Sequence, residues 1–277
     1  MCEEPVIRKL AVLLSGFALT VTVGACGEPG GNATATNGSG GGNQAMTAGL
    51  TELVQRIGES TAETNTAHFT MLIEAGDDKV EIEGDIKFGS DDVAMELAMS
   101  HPGLGDVSVV LVDGLMYVRT GKELEPGKPW LKVDPTADDT ISKSLRGMVE
   151  EMSKNADPRA TVETLKNAGT LTAEVEAELN GERTTRYTIL ADFEKMAAEQ
   201  NDPELATALD TLGAKEFPVE LWINGNGLPV RMKMEPPMTD PNTGKPVEAV
   251  IQADYTKWGE PVEIDAPPAD QVTEPPS

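Results

Sequence analysis

Hydrophobic positions recur along this chain with two periods, and the changes of period mark out its elements. Leu50, Leu53, Val54 and Ile57 recur at helical spacing, which predicts a short amphipathic helix at the start of the folded part. The period then becomes two. Val80, Ile82, Ile86 and Phe88 alternate with Glu81, Glu83, Asp85 and Lys87, the pattern of a strand with one wet face. The same alternation puts Phe69, Met71 and Ile73 on an inward face before it, and Met95, Leu97 and Met99 after it. Asp77-Asp78 and Ser90-Asp91-Asp92 fall between these runs, where turns need such residues. Further strands are expected at Val107 to Val112, Leu115 to Arg119 and Trp130 to Val133.

A helical stripe of Ile141, Leu145, Met148, Val149 and Met152 follows an Asp139-Thr140 start, and Asp157-Pro158 opens a second helix with a cap and an N1 proline. Leu171, Ala173, Val175, Ala177 and Leu179 then alternate with Glu174, Glu176 and Glu178. Asn180-Gly181 joins this strand to a partner at Arg183 to Ala191, a strong hairpin signal. A second helical insertion is expected from Phe193 to Leu212, capped internally at Asp202-Pro203. Three closing strands are expected at Phe217 to Ile223, Pro229 to Glu235 and Val247 to Tyr255. About eleven strands of this kind, mostly hairpin-connected, predict one α+β domain: a curved antiparallel sheet with helices on its concave face.

The residues before this domain carry a different message. Arg8 and Lys9 precede the apolar run Leu10 to Val23, and Gly24-Ala25-Cys26 follows, the order of an export signal. The run is about fourteen residues, short of the roughly 20 a membrane-spanning helix needs. Val23-Gly24-Ala25-Cys26 fits a lipobox, in which cleavage frees a cysteine that takes lipid on its sulfur. Residues 1–25 are therefore expected to be a lipoprotein signal peptide, with Cys26 the lipidation site. Residues 26–45 are rich in Gly, Asn, Ala and Thr and read as a flexible tether. The folded domain is expected over 46–268, with 269–277 a disordered tail.

Charge and rare side chains narrow the function. The chain has 47 acidic and 22 basic residues, a net charge of −25, and the leader contains two of each sign. So acidic a protein is excluded as a simple electrostatic partner of nucleic acid or anionic lipid surfaces. Cys2 leaves with the leader, which makes Cys26 the last thiol and excludes an internal disulfide. Only His68 and His101 remain for acid-base or metal chemistry, His68 on a polar strand face and His101 in a turn, so no enzyme, cofactor or metal is expected. Asp240-Pro241-Asn242-Thr243-Gly244 resembles part of a calcium loop but lacks its closing Glu, and reads as a hairpin turn.

The inward positions hold many methionines, among them Met71, Met95, Met99, Met116, Met148, Met152, Met196, Met232 and Met234, while aromatics are 4% of the chain. Flexible thioethers suit a cavity that adapts to varied acyl chains, and they also fill irregular cores. Several segments bear on that choice. Tyr255-Thr256-Lys257-Trp258-Gly259-Glu260-Pro261-Val262-Glu263-Ile264-Asp265-Ala266-Pro267-Pro268 resembles the closing strand and tail of actinobacterial lipoproteins of the LppX/LprAFG family. Val112-Asp113-Gly114-Leu115-Met116-Tyr117-Val118, Pro129-Trp130-Leu131-Lys132-Val133 and Leu221-Trp222-Ile223-Asn224-Gly225-Asn226-Gly227-Leu228-Pro229 resemble other segments of that family. The resemblance covers residues 46–268. It implies a LolA-like incomplete barrel whose apolar cavity takes the acyl chains of lipids or glycolipids, with an envelope transporter as a further partner.

Strand parity and helical stripe nominate Met95, Leu97, Met99, Leu111, Met148, Met152, Leu221, Ile223, Met232 and Met234 as cavity lining. The competing expectation is a lipid-anchored interaction protein with a solid core, docking on another envelope component. Under both, the protein sits at the cell membrane on its extracytoplasmic face.

Overall fold

The structure, a computed structural model, describes residues 42–76, 78–88, 93–101, 105–121, 123, 125–155, 158–200, 215–239 and 246–275. Cys26, most of the tether, the stretch 201–214 and the loop Asp240 to Gly244 lie outside the described residues.

The chain builds two antiparallel meanders that share one sheet. Strands β1 (Thr66–Ala75), β2 (Asp78–Phe88), β3 (Val93–His101), β4 (Gly105–Val112), β5 (Leu115–Arg119) and β6 (Trp130–Val133) pair in sequence order. After helices α2 (Thr140–Asn155) and α3 (Pro158–Ala168), β7 (Gly169–Leu179) and β8 (Glu182–Asp192) form a hairpin. Helix α4 (Phe193–Gln200) follows, and then β9 (Glu216–Asn224), β10 (Pro229–Met234), a short β11 (Pro237–Thr239) and β12 (Pro246–Thr256). The two meanders join where β12 pairs with β1, running from His68 opposite Thr256 to Ala75 opposite Ala249. The result is a large, curved, unclosed sheet that begins with a short β13 (Val272–Thr273) and runs in the order β13-β6-β5-β4-β3-β2-β1-β12-β10-β9-β8-β7, antiparallel except at β13.

Turn chemistry fixes the hairpins. Asn180 and Gly181 both take positive φ, 53° and 82°, as the two-residue connection of a right-twisted hairpin requires. Asp113-Gly114 does the same between β4 and β5. Between β9 and β10, the Asn224 carboxamide oxygen accepts from the backbone N–H of Asn226 and of Leu228.

Helices lie on one face only. Helix α1 (Gly42–Thr64) is longer than its apolar stripe predicts and takes in residues 42–45, expected to be tether. It lays Leu50, Leu53, Val54 and Ile57 against α3 and the second meander, in a core with Leu165, Ile189, Val219, Leu221 and Met232. Helix α2 lays Leu145 and Val149 over the first meander, in a separate core with Ile86, Leu97, Val109, Leu111 and Met116. Among the described residues no helix is long and apolar enough to cross a membrane.

Helix α2 is held at its start by Asp139, whose side chain accepts from the Ser142 backbone N–H at 2.8 Å. That hydrogen bond from the Ser142 backbone holds the Asp139 carboxyl below its ordinary pKa. A carboxyl depressed in the folded state stabilises at any pH above its unfolded value, and this contribution is lost as pH falls through the depressed value. Asp139→Ala should therefore lower amide-exchange protection of α2 at neutral pH, and the gap between variant and wild type should close in acid. A gap that stays constant down to pH 2 would contradict the cap.

The other face is not uniformly wet, as strand alternation alone predicts. Residues 259–268 cross the polar side of β4 to β6 and bury Ile264 against Val110, Tyr117 and Trp130. Residues 269–273, expected to be disordered, form a 3-10 turn (Ala269–Gln271) and a two-residue strand, β13 (Val272–Thr273), which pairs in parallel with Trp130 and Leu131 of β6. This cover explains why Val109, Val110 and Leu111 are all buried in succession: β4 has apolar neighbours on both sides.

Candidate functional site

The helix-bearing face of the sheet is the site that the sequence singles out, and its alternation places the residues there. Met95 pairs with Leu111 and Ile86, Leu97 with Val109 and Gly84, Met99 with Val107 and Ile82. All four nominated residues of this half, Met95, Leu97, Met99 and Leu111, are buried beneath α2. On the second meander Met232 pairs with Leu221, and Met234 with Val219; these and Ile223 are buried beneath α1 and α3. Met148 and Met152 belong to α2, but their side chains lie outside the described residues. The nominated residues thus form two clusters rather than one, six strand pairings apart at their extremes, β4 and β9, and each under its own helices.

What links the clusters is the centre of β1. Met71 and Ile73 pack against both, opposite Ala253 and Ile251 of β12 on one side and Ile82 and Val80 of β2 on the other. Both are only half-buried, while the apolar positions flanking them across the sheet are closed. An apolar seam therefore runs along β1 between the α2 side and the α1–α3 side. Sequence reasoning places Met71 and Ile73 inward but not at the boundary of two cores. That position depends on β12 pairing with β1, which no local pattern encodes.

One end of the seam is closed by aromatic packing. The Trp258 ring stacks on Phe88 with centroids 6.0 Å apart and lies 5.8 Å from Tyr255. Its indole N–H donates to the Pro229 carbonyl at 2.9 Å. The Tyr255-to-Gly259 segment thus anchors the junction of the meanders, with Lys257 and Gly259 in positive φ to turn the chain.

Polar groups gather elsewhere. At the rim of the second meander the Arg56 guanidinium donates to the Tyr187 hydroxyl at 2.7 Å, and that hydroxyl donates to Glu174 at 3.3 Å. On the polar face Arg231 pairs with Asp254, and His68 Nδ1 lies 3.0 Å from Asp85. Two open grooves lie on that face. One of about 690 Å³ is bordered by Glu81, Glu83, Asp106, Gln252 and Asp254. The other, about 440 Å³, lies between β1 to β6 and Asp265 to Pro268. His101 ends β3 opposite Gly105 rather than standing in a turn. Among the described residues no three His, Cys, Asp or Glu side chains are grouped to hold a metal.

No protein-family model and no curated protein matches the chain. Solved structures do. Lipoprotein LppX of Mycobacterium tuberculosis is 15% identical, over 79% of this chain and 99% of that one, with a TM-score of 0.49. LprF of Mycobacterium bovis is 14% identical, over 79% and 97%, with a TM-score of 0.48. MucB of Pseudomonas aeruginosa, in its complex with MucA, is 14% identical over 80% and 60%, with a TM-score of 0.37. The chain is similar to these three solved structures at 14% to 15% identity, each with a TM-score under 0.5.

Proposed function

We propose that this protein is tethered outside the cytoplasm by lipid on Cys26, and that it carries lipid or glycolipid acyl chains on the helix-bearing face of its sheet. The observation that carries the reading is the seam along β1. The helices close the larger apolar face of the sheet in two patches while leaving Met71 and Ile73 half-buried between them. Acyl chains entering there would part α2 from α1 and α3 and continue over Met99, Ile82, Ile251 and Met234. Each buried methylene would contribute about 0.8 kcal/mol, so chain length and number would matter more than headgroup. Methionines on both banks can change rotamer to follow the chain.

Native mass spectrometry of the mature chain, purified from a lipid-rich host, tests this. Co-purifying lipid is expected, and Met71→Trp should displace it by filling the seam. Leu221→Trp is a poorer probe, because Leu221 is 1% exposed and an indole there would disrupt the core itself. A lipid-free mass that takes up nothing on lipid addition would leave the solid-core docking protein as the better account.

A further inference from the structure

The two ends of the sheet are finished differently. Beyond β6 lies β13, whereas among the described residues nothing pairs with the outer edge of β7. This edge strand is 11 residues long. Its pattern is also altered by a bulge between Leu171 and Ala173. Before the bulge Leu171 faces the core, opposite Ile189; beyond it the parity is reversed. Glu174 and Glu176 stand opposite Tyr187 and Thr185 on the helix-bearing face, and Glu178 continues the row. Ala173, Val175 and Ala177 turn to the polar face, where Val175 sits opposite Arg186. Val175, at 47% exposure, is the one large hydrophobic among the described residues that stands exposed.

We propose that the outer edge of β7 is a docking edge for an extended segment of a partner protein whose residues alternate basic and apolar. Such a segment would continue the sheet through main-chain hydrogen bonds to Ala173 through Leu179. Its basic side chains would face Glu174, Glu176 and Glu178, which recur roughly every 7 Å, the repeat of alternate residues on a strand. Its apolar side chains would lie beside Val175 and the two alanines. Directly opposed side chains on neighbouring strands come within about 5 Å, close enough for each carboxylate to engage a lysine or arginine.

Charge selects this occupant over a second copy of the chain. Two β7 edges brought together in antiparallel register place glutamate opposite glutamate at every position of the row, which is destabilising. The net charge of −25 adds long-range attraction for a basic segment and repulsion for a copy. The proposal stands apart from lipid carriage, since the edge lies outside the seam.

Binding of a labelled nine-residue peptide of alternating lysine and valine to the full chain, followed by fluorescence anisotropy, tests it. Two controls are a peptide of the same sequence with its edge-facing amides N-methylated, and one alternating glutamate and valine. The lysine peptide should bind at least tenfold tighter than either, and Glu176→Lys with Glu178→Lys should weaken it at least tenfold. Equal binding of the N-methylated peptide would reduce the effect to surface charge and overturn the proposal. So would indifference to the double substitution, or a concentration-dependent dimer that Val175→Lys abolishes. The peptide comparison is made on the unaltered chain, so a misfolded variant does not remove the test.

Discussion

Cys26→Ser should transfer the protein from the membrane fraction to the soluble extracytoplasmic fraction. On the proposed reading the leader would deliver the chain across the membrane in either case, because its basic and apolar segments are unchanged. What the serine lacks is the thiol that would carry the proposed lipid. Buried acyl chains contribute about 0.8 kcal/mol per methylene, and stable anchoring takes two such chains, so losing them removes essentially all the membrane affinity. No compensating electrostatic attachment is expected from a chain with a net charge of −25. Fractionation after a high-salt wash measures the outcome. A variant that stays with the membrane would place the anchor elsewhere and remove the basis for reading residues 1–25 as a lipoprotein leader.

The second large effect is expected at Gly84→Ala, in the middle of β2. A Cβ there would point to the helix-bearing face, deep inside contact distance of the Glu96 carbonyl oxygen and 3.0 Å from the Leu97 Cα. These are main-chain atoms of the adjacent strand and cannot swing aside. The Phe69 ring also lies across the glycine, 3.0 Å from the same point. Glycine inside a strand often marks such a close approach, and here it lets β2, β3 and Phe69 crowd together under the first core. Overpacking commonly costs about 1 to 3 kcal/mol, and a clash with backbone belongs at the upper end. At about 2–4 °C per kcal/mol for a domain of this size, the melting temperature should fall by roughly 10 °C. Gly58→Ala is the control. Apart from the backbone of its own helix and its chain neighbours, nothing lies within 4 Å of its would-be Cβ on α1, so alanine should stabilise by up to about 1 kcal/mol. If both variants melt like the wild type, the close approach at Gly84 is wrong.

Local pattern proved sufficient wherever a residue's neighbours are close in sequence. The expected strands at Val107 to Val112, Leu115 to Arg119 and Trp130 to Val133 have these bounds or differ by two residues at one end, and the Asn180-Gly181 turn closes its hairpin. The failures share a cause, dependence on something remote or on a backbone irregularity. Regular alternation of Leu171, Ala173, Val175, Ala177 and Leu179 suggests one face, but the bulge splits the run between two faces. A bulge has no composition of its own. Ile264 looks like a stray apolar residue in a proline-rich tail until Val110, Tyr117 and Trp130 are seen to need a cover. The candidate site was legible as a face and not as a shape: alternation puts the methionines on it, while the division into two cores comes from β1 meeting β12.

That same pairing governs the order in which the molecule can be assembled. If the chain is exported N-terminus first, as the proposed function requires, the β1 to β6 meander is delivered long before residue 246 emerges, and β1 waits with an open edge for a strand about 180 residues away. Closing a fully flexible loop of that length costs about 5 kcal/mol in entropy, and non-local pairings of this kind slow folding. Each meander can first consolidate under its own helices, which shortens the loop that remains flexible. The last step is then docking of two preformed halves along β1 and β12, and the seam is the line of that joint. A half-built protein at this stage exposes a strand edge and an apolar face together, so the interval between export and docking is when it is most open to aggregation or proteolysis.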